Sequence, residues 1–154
     1  MIHMSAKEYQ EMLRKESAKK KPKHHNKFVY IYADGLASDS KSLTGHGEIV
    51  CHYDSRKEYA RHKELQLLER GGRISDLRWQ VPMLIQEGLT RQDGKKVRPI
   101  YYTADFTYTE GGQEIVEDVK GIDKYTGRPQ TTEAFRLKWK LLAARYPDKV
   151  FRIF

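Results

Sequence analysis

Sulfur is scarce in this chain: the single cysteine, Cys51, excludes an intramolecular disulfide. Long apolar runs are missing too. None approaches the roughly 18 residues that a membrane-crossing helix needs, and residues 1–27 contain no apolar stretch of the kind a secretory signal carries. Internal repeats and low-complexity linkers are also lacking. The expectation is a protein with no membrane attachment in a reducing, cytoplasmic setting. With 154 residues, 38% hydrophobic and 32% charged, there is material for one real core but not comfortably for two.

Positive charge is present in excess and unevenly placed. The formal net charge is +8. Residues 1–27 hold eight Lys or Arg against three Glu, which accounts for five of those charges. Tyr9, Met12 and Leu13 stand at helical spacing, and the run Lys19, Lys20, Lys21, Pro22, Lys23, His24, His25 follows, where Pro22 ends any helix. The sequence therefore predicts a helical basic arm over 1–27 and a folded domain over 28–154. Such an arm attracts polyphosphate backbones through counterion release, although a basic tail also serves solubility.

The most informative stretch is 103–120, TADFTYTEGGQEIVEDVK. Gly111-Gly112 is a primed-turn signal, because both central residues of such a turn need positive φ. In that hairpin, residues whose numbers add to 223 face one another: Glu110 meets Gln113, and Asp105 meets Asp118. Only a bulge would break the register. Lys120 shares the Asp118 face, because side chains alternate along a strand. Strict alternation also puts Ile100, Tyr102, Ala104, Phe106 and Tyr108 on one side of the first strand and Tyr101, Thr103, Asp105 and Thr107 on the other. Carboxylates opposed at about 5 Å repel unless a cation lies between them. A magnesium ion suits two carboxylates and a lysine; the plain alternative is a solvated face of ordinary surface charges. His46 and His52 lack the companion ligands and spacing that zinc requires.

Ser55 and Glu58 form a capping box that opens a helix running to Arg70, ahead of Gly71-Gly72. The plain reading of Glu58 is the cap alone. Against this, Glu58 and Leu65 are seven apart and share a helical face, with Leu68 one turn further along, so Glu58 can look inward onto a sheet. Glu64 points away and is the second choice for a site carboxylate. Elsewhere the sequence predicts strands at 28–33 and 48–53 with a surface loop between, an extended segment over 73–86 bent near Pro82, a turn at 92–95, and a strand over 97–108. A polar loop over 121–131, a helix over 132–146 and a last strand over 150–154 complete the chain. The sum is an α/β (α+β) fold with a central mixed sheet flanked by helices.

This order, with Glu58 in DSRKE, Asp105 in TADF, and Asp118 and Lys120 in EDVKG, resembles the PD-(D/E)xK nuclease superfamily. More narrowly, YDSRKE, ELQLLERGG, ISDLRWQ, YYTADFTY, VEDVKG and YPDKVFRIF resemble a family of small phage endonucleases held to be like Holliday-junction resolvases. Ala104 stands where the superfamily name has proline. The resemblance implies a restriction-endonuclease-like core and magnesium-dependent hydrolysis of DNA, with manganese able to substitute. The substrate would be branched or junction DNA in phage recombination or replication, and the products a 5′-phosphate and a 3′-hydroxyl. It implies that Asp105, Asp118 and the Val119 carbonyl hold the metal, that Glu58 binds it directly or through water, and that Lys120 orients or deprotonates the attacking water. Cutting both strands of a junction would want a symmetric homodimer. Two other classes remain open: a non-catalytic nucleic-acid-binding protein on a nuclease-like fold, and a structural virion protein. If the arm binds DNA, deleting 1–27 will weaken affinity and flatten its salt dependence while sparing the chemical step; an unchanged slope in a salt titration would assign the arm another role.

Overall fold

The computed structural model describes residues 27–154, so the expected basic arm lies outside the described residues, apart from Lys27. The elements in chain order are β1 (Val29–Tyr32), β2 (Ala37–Ser38), β3 (Ile49–Tyr53), α1 (Arg56–Arg70), β4 (Ser75–Gln86), β5 (Leu89–Thr90), β6 (Lys96–Val97), β7 (Ile100–Glu110), β8 (Gln113–Asp118), α2 (Glu133–Arg145) and β9 (Val150–Ile153). Over the described residues this is an α+β protein with a mixed sheet and two helices. Four strands form that sheet in the order β4-β7-β8-β9, antiparallel except for the parallel β8–β9 pair. The first three strands form a separate antiparallel sheet, β2-β1-β3, and β5 and β6 make a small ribbon.

Local chemistry explains most boundaries. Gly111 and Gly112 have φ of 57° and 81°, the left-handed values that a primed turn demands. The hairpin register is the expected one, from Glu110 opposite Gln113 to Phe106 opposite Glu117. Ser55 caps α1 by accepting from the Glu58 N–H at 3.1 Å, and Thr132 caps α2 by accepting from the Phe135 N–H at 3.1 Å. The strand expected over 97–108 is divided: Val97 belongs to β6, and β7 starts only after Pro99, whose ring nitrogen has no proton for a ladder. Pro82 interrupts nothing, because β4 is an edge strand and pairs through Pro82 with Thr103.

Core packing puts the helices on opposite faces of the sheet. Ile115 packs in one cluster with Leu65 of α1, and Val116 in another with Leu142 of α2; adjacent side chains on a strand point to opposite faces. Glu58 and Leu65 are the buried residues of α1, as their spacing predicts, whereas Leu68 is exposed. The small N-terminal sheet joins the main body through Tyr53, whose ring meets those of Tyr59, His62 and Trp79.

Strict alternation fails in β7 at a decisive place. Tyr102 and Ala104 lie on the α2 side, Tyr102 against Phe135 and Trp139, whereas Phe106 and Tyr108 lie on the α1 side with Leu65. The phase therefore changes at Asp105. On the neighbouring strand it changes at Gln80, since Trp79 packs with the α1 cluster and Val81 with the α2 cluster. Gln80 has a φ of 53°, a left-handed conformation that a non-glycine residue rarely adopts inside a strand. Both strands shift together, so the pairs Trp79–Phe106 and Val81–Ala104 keep one register around the break.

One buried ion pair ties α1 to the sheet. Glu117 on β8 is fully buried and accepts from Arg61 Nε at 2.7 Å and Nη2 at 2.9 Å, with the Tyr108 hydroxyl donating at 2.8 Å. The guanidinium also lies 3.9 Å from the centroid of the Phe154 ring. Removing one member of a buried pair strands the other charge, which costs about 3–5 kcal/mol. Arg61→Met should lose that much in urea unfolding, and Arg61→Met with Glu117→Leu should recover most of it; a double variant no more stable than the single one would show that the pair is not what binds these elements.

Candidate functional site

The break at Asp105 opens the sheet where the sequence expected two opposed aspartates. Ladder pairing between β7 and β8 stops at Phe106 and Glu117, so Asp105 and Asp118 are not ladder partners. Instead the Asp105 carboxylate itself reaches β8, where its Oδ2 accepts from the Val119 N–H at 2.7 Å. This corrects the expected direct opposition. The cause is the phase change, which takes Asp105 out of the regular pleat.

Asp118 is buried, and both of its oxygens are engaged: Oδ1 by Lys120 Nζ, Oδ2 by the Tyr102 hydroxyl. Lys120 therefore shares the Asp118 side, as the period-2 reading held. Its ammonium also lies 4.5 Å from the Phe135 ring centroid, a cation–π contact that fixes it from the α2 side. Tyr102 was not anticipated. Alternation placed it opposite Asp105, and the phase change brings it to the Asp118 carboxylate; Gln80, a polar residue in an apolar run, was the one visible sign of the break.

Glu58 enters from α1. It does close the capping box, accepting from Ser55 Oγ at 3.2 Å and from the Asp54 N–H at 3.3 Å. It is nonetheless buried, and burial, with the Asp54 charge next in importance, pushes its carboxyl up to about 7, partly offset by Lys120. Burial holds Asp105 well above the ordinary carboxylate range, and the charges of Asp118 and Glu58 add to the effect. These mutual influences place Glu58, Asp105, Asp118 and Lys120 in one electrostatic neighbourhood. Glu64 lies outside it, exposed and paired with Arg61 at 3.0 Å.

Lys57, also unanticipated, braces this neighbourhood. Its Nζ donates to the main-chain oxygen of Lys120 at 2.7 Å and to that of Phe154 at 2.9 Å, joining the start of α1 to the ends of β8 and β9. Its position next to Glu58 was the available signal. His46 bonds Asp34 and His52 lies near Asp54, in the small sheet and its loop rather than with these acids.

The donor chemistry fits a hard divalent cation. Three carboxylates with one lysine among them leave excess negative charge, and burial penalises each ionised form. As the side chains stand, no three His, Cys, Asp or Glu groups among the described residues form a metal cluster. Lys120 and Tyr102 hold the Asp118 oxygens instead, so a cation would have to displace the ammonium from Oδ1.

A family model described as a protein of unknown function, DUF1064, matches residues 40–153. The chain belongs to that family. No curated protein matches it. The DUF1064 match takes in α1, the whole four-stranded sheet and α2, and so contains Glu58, Asp105, Asp118 and Lys120.

The raised carboxyl groups fix how stability depends on pH. Glu58 and Asp105 bind protons more tightly folded than unfolded, so their contribution is fully present below about pH 4, the ordinary carboxylate range, and is lost as pH rises through 7 and beyond. In metal-free buffer the Tm should fall from pH 5 to pH 8, and Asp105→Asn should flatten that fall; parallel curves for the parent and the variant would contradict the crowding.

Proposed function

We infer that this DUF1064 chain is a metal-dependent endonuclease that hydrolyses DNA phosphodiester bonds, acting on branched or junction DNA. The observation that carries the reading is the gathering of Glu58, Asp105 and Asp118 from three separate elements around Lys120, where burial and mutual repulsion disfavour bare ionised carboxylates. A purely structural acid would be expected to resemble Glu117, whose charge is matched by a bidentate guanidinium and a tyrosine.

Asp105, Asp118 and the Val119 carbonyl would hold magnesium or manganese, with Glu58 reached directly or through water. When bound, such an ion polarises the phosphate and lowers the pKa of a coordinated water. The protein's own groups do the rest. The Val119 N–H fixes the Asp105 carboxylate, Tyr102 fixes one oxygen of Asp118, and the cap bonds from Ser55 and Asp54 set the Glu58 carboxylate. Lys120 would orient or deprotonate the attacking water once its ammonium leaves Asp118, and its charge would offset the negative charge that builds on the phosphoryl group. Lys57 keeps the Lys120 backbone in place during that exchange.

The test is incubation of the full chain with a four-way junction, a duplex and a single strand, with and without magnesium. Cleavage should require the metal, and Asp105→Asn and Asp118→Asn should each abolish it. Glu58→Gln keeps one of the two cap acceptors and loses the charge, and should cut the rate at saturating DNA on the order of a hundredfold. Glu64→Gln should be nearly silent. Binding without cleavage by the parent chain would instead favour the non-catalytic DNA-binding reading, in which Lys120 simply neutralises Asp118.

A further inference from the structure

The loop that follows Lys120 is rigidly built, yet it presents its largest side chain entirely to solvent. Tyr125 is 98% exposed. Both faces of the ring are open to solvent, which leaves its apolar area free to be buried by a partner.

The loop is held by its own bonds. Asp123 Oδ1 accepts from the Tyr125 N–H at 3.0 Å, the Thr126 N–H at 2.7 Å and the Thr126 hydroxyl at 2.9 Å. Its base is closed by backbone bonds from Gln130 to Gly121 at 2.7 Å and from Asp123 to Arg128 at 2.8 Å, with Ile122 bridged to Pro129. Just before the base, the Lys120 main-chain oxygen is pinned by Lys57. The tip is thus fixed relative to the candidate site.

Its surroundings are cationic. Residues 121–145 carry six Lys or Arg against two acids, and one of those acids, Asp123, is spent on the loop's own bonds. Lys124, Arg128, Arg136, Lys138 and Lys140 are exposed, and none of them forms an ion pair with another of the described residues.

We propose that Tyr125 is a stacking post for an unpaired nucleobase, with Lys124 and Arg128 receiving the flanking phosphates, so that the loop selects DNA with unstacked bases beside the scissile bond. The proposal rests on the nuclease reading and adds the feature of the substrate that is recognised. An aromatic face accepts any base without reading its sequence, and cations beside it track the backbone. A paired base inside a duplex offers no free face, which gives the preference its direction. An exposed tyrosine could equally meet a protein, but the surrounding unpaired cations favour a polyanion.

The experiment uses the full chain carrying Asp105→Asn, to suppress cleavage, and two DNAs of equal length: a fully paired duplex, and one with a fluorescent aminopurine at an unpaired position. Tyr125→Ala should weaken binding to the second DNA by roughly tenfold and abolish the stacking change in fluorescence, with little effect on the first. Tyr125→Phe, which keeps the ring, should restore both signals. Lys124→Ala and Arg128→Ala should weaken both DNAs alike and each lower the salt slope by about one. If Tyr125→Ala binds the unpaired site as the parent does, the stacking role is overturned, while metal-dependent cleavage by the parent would leave the nuclease reading standing. If the parent neither binds nor cuts any of these DNAs, both fall, and a protein partner for Tyr125 takes their place.

Discussion

Two consecutive carboxylates, Glu117 and Asp118, are buried on opposite faces of the same central strand, and the architecture follows from how each is accommodated. Burying an ionised carboxylate is costly unless it is paired and hydrogen-bonded. Glu117 faces α1 and is matched by a planar guanidinium in fork geometry together with the Tyr108 hydroxyl. Arg152 extends this network, donating to Tyr108 at 3.0 Å and to Glu110 at 2.9 Å. Asp118 faces the other way and is met by a flexible ammonium and a phenol, beside further acids that have no guanidinium of their own. One face of β8 is closed by its charges, and the other keeps acids that no guanidinium matches.

The break in the pleat at Asp105 and Gln80 gathers the candidate residues on that second face. In an unbroken strand, Asp105 would sit in the ladder and Tyr102 would look towards α1. The phase change delivers Tyr102 to Asp118 and turns the Asp105 side chain onto the Val119 N–H. Left-handed backbone at Gln80 is unfavourable for a residue with a Cβ, and strain of this kind tends to gather at working parts of proteins. Here it lies across from the residue that the electrostatics single out.

What could be read from the chain beforehand was whatever depended on local chemistry. The double glycine set the hairpin register, and Ser55 with Glu58 set the start of α1, because turn and cap preferences act over a few residues. The Glu58–Leu65 spacing marked the inward face of α1 because helical geometry is regular. The same regularity misled at Asp105: a period-2 rule contains no information about where the period fails. Tyr102, Arg61 with Glu117, and Lys57 escaped for a related reason, since each acquires its partner across a long sequence separation. The separate β2-β1-β3 sheet was hidden likewise, as the two residues of β2 lie inside a stretch that composition marks as loop.

Glu58 shows that a capping role and a site role need not compete. The box uses the carboxylate as an acceptor for groups on its own turn, and this fixes the rotamer that directs its charge towards Lys120 and Asp105. A buried acid at the first turn of a helix is also favoured by the positive end of the helix dipole. Lys57, one residue earlier, has the wrong sign for that dipole, so its place there needs another source of stability. The two main-chain oxygens it binds supply one, and they belong to Lys120 and Phe154, the ends of the two strands that pair in parallel. The first turn of α1 therefore carries a charge aimed at the site and, beside it, the clamp that holds the site's strand against the helix, so a shift of that turn would move Glu58 and Lys120 together rather than apart.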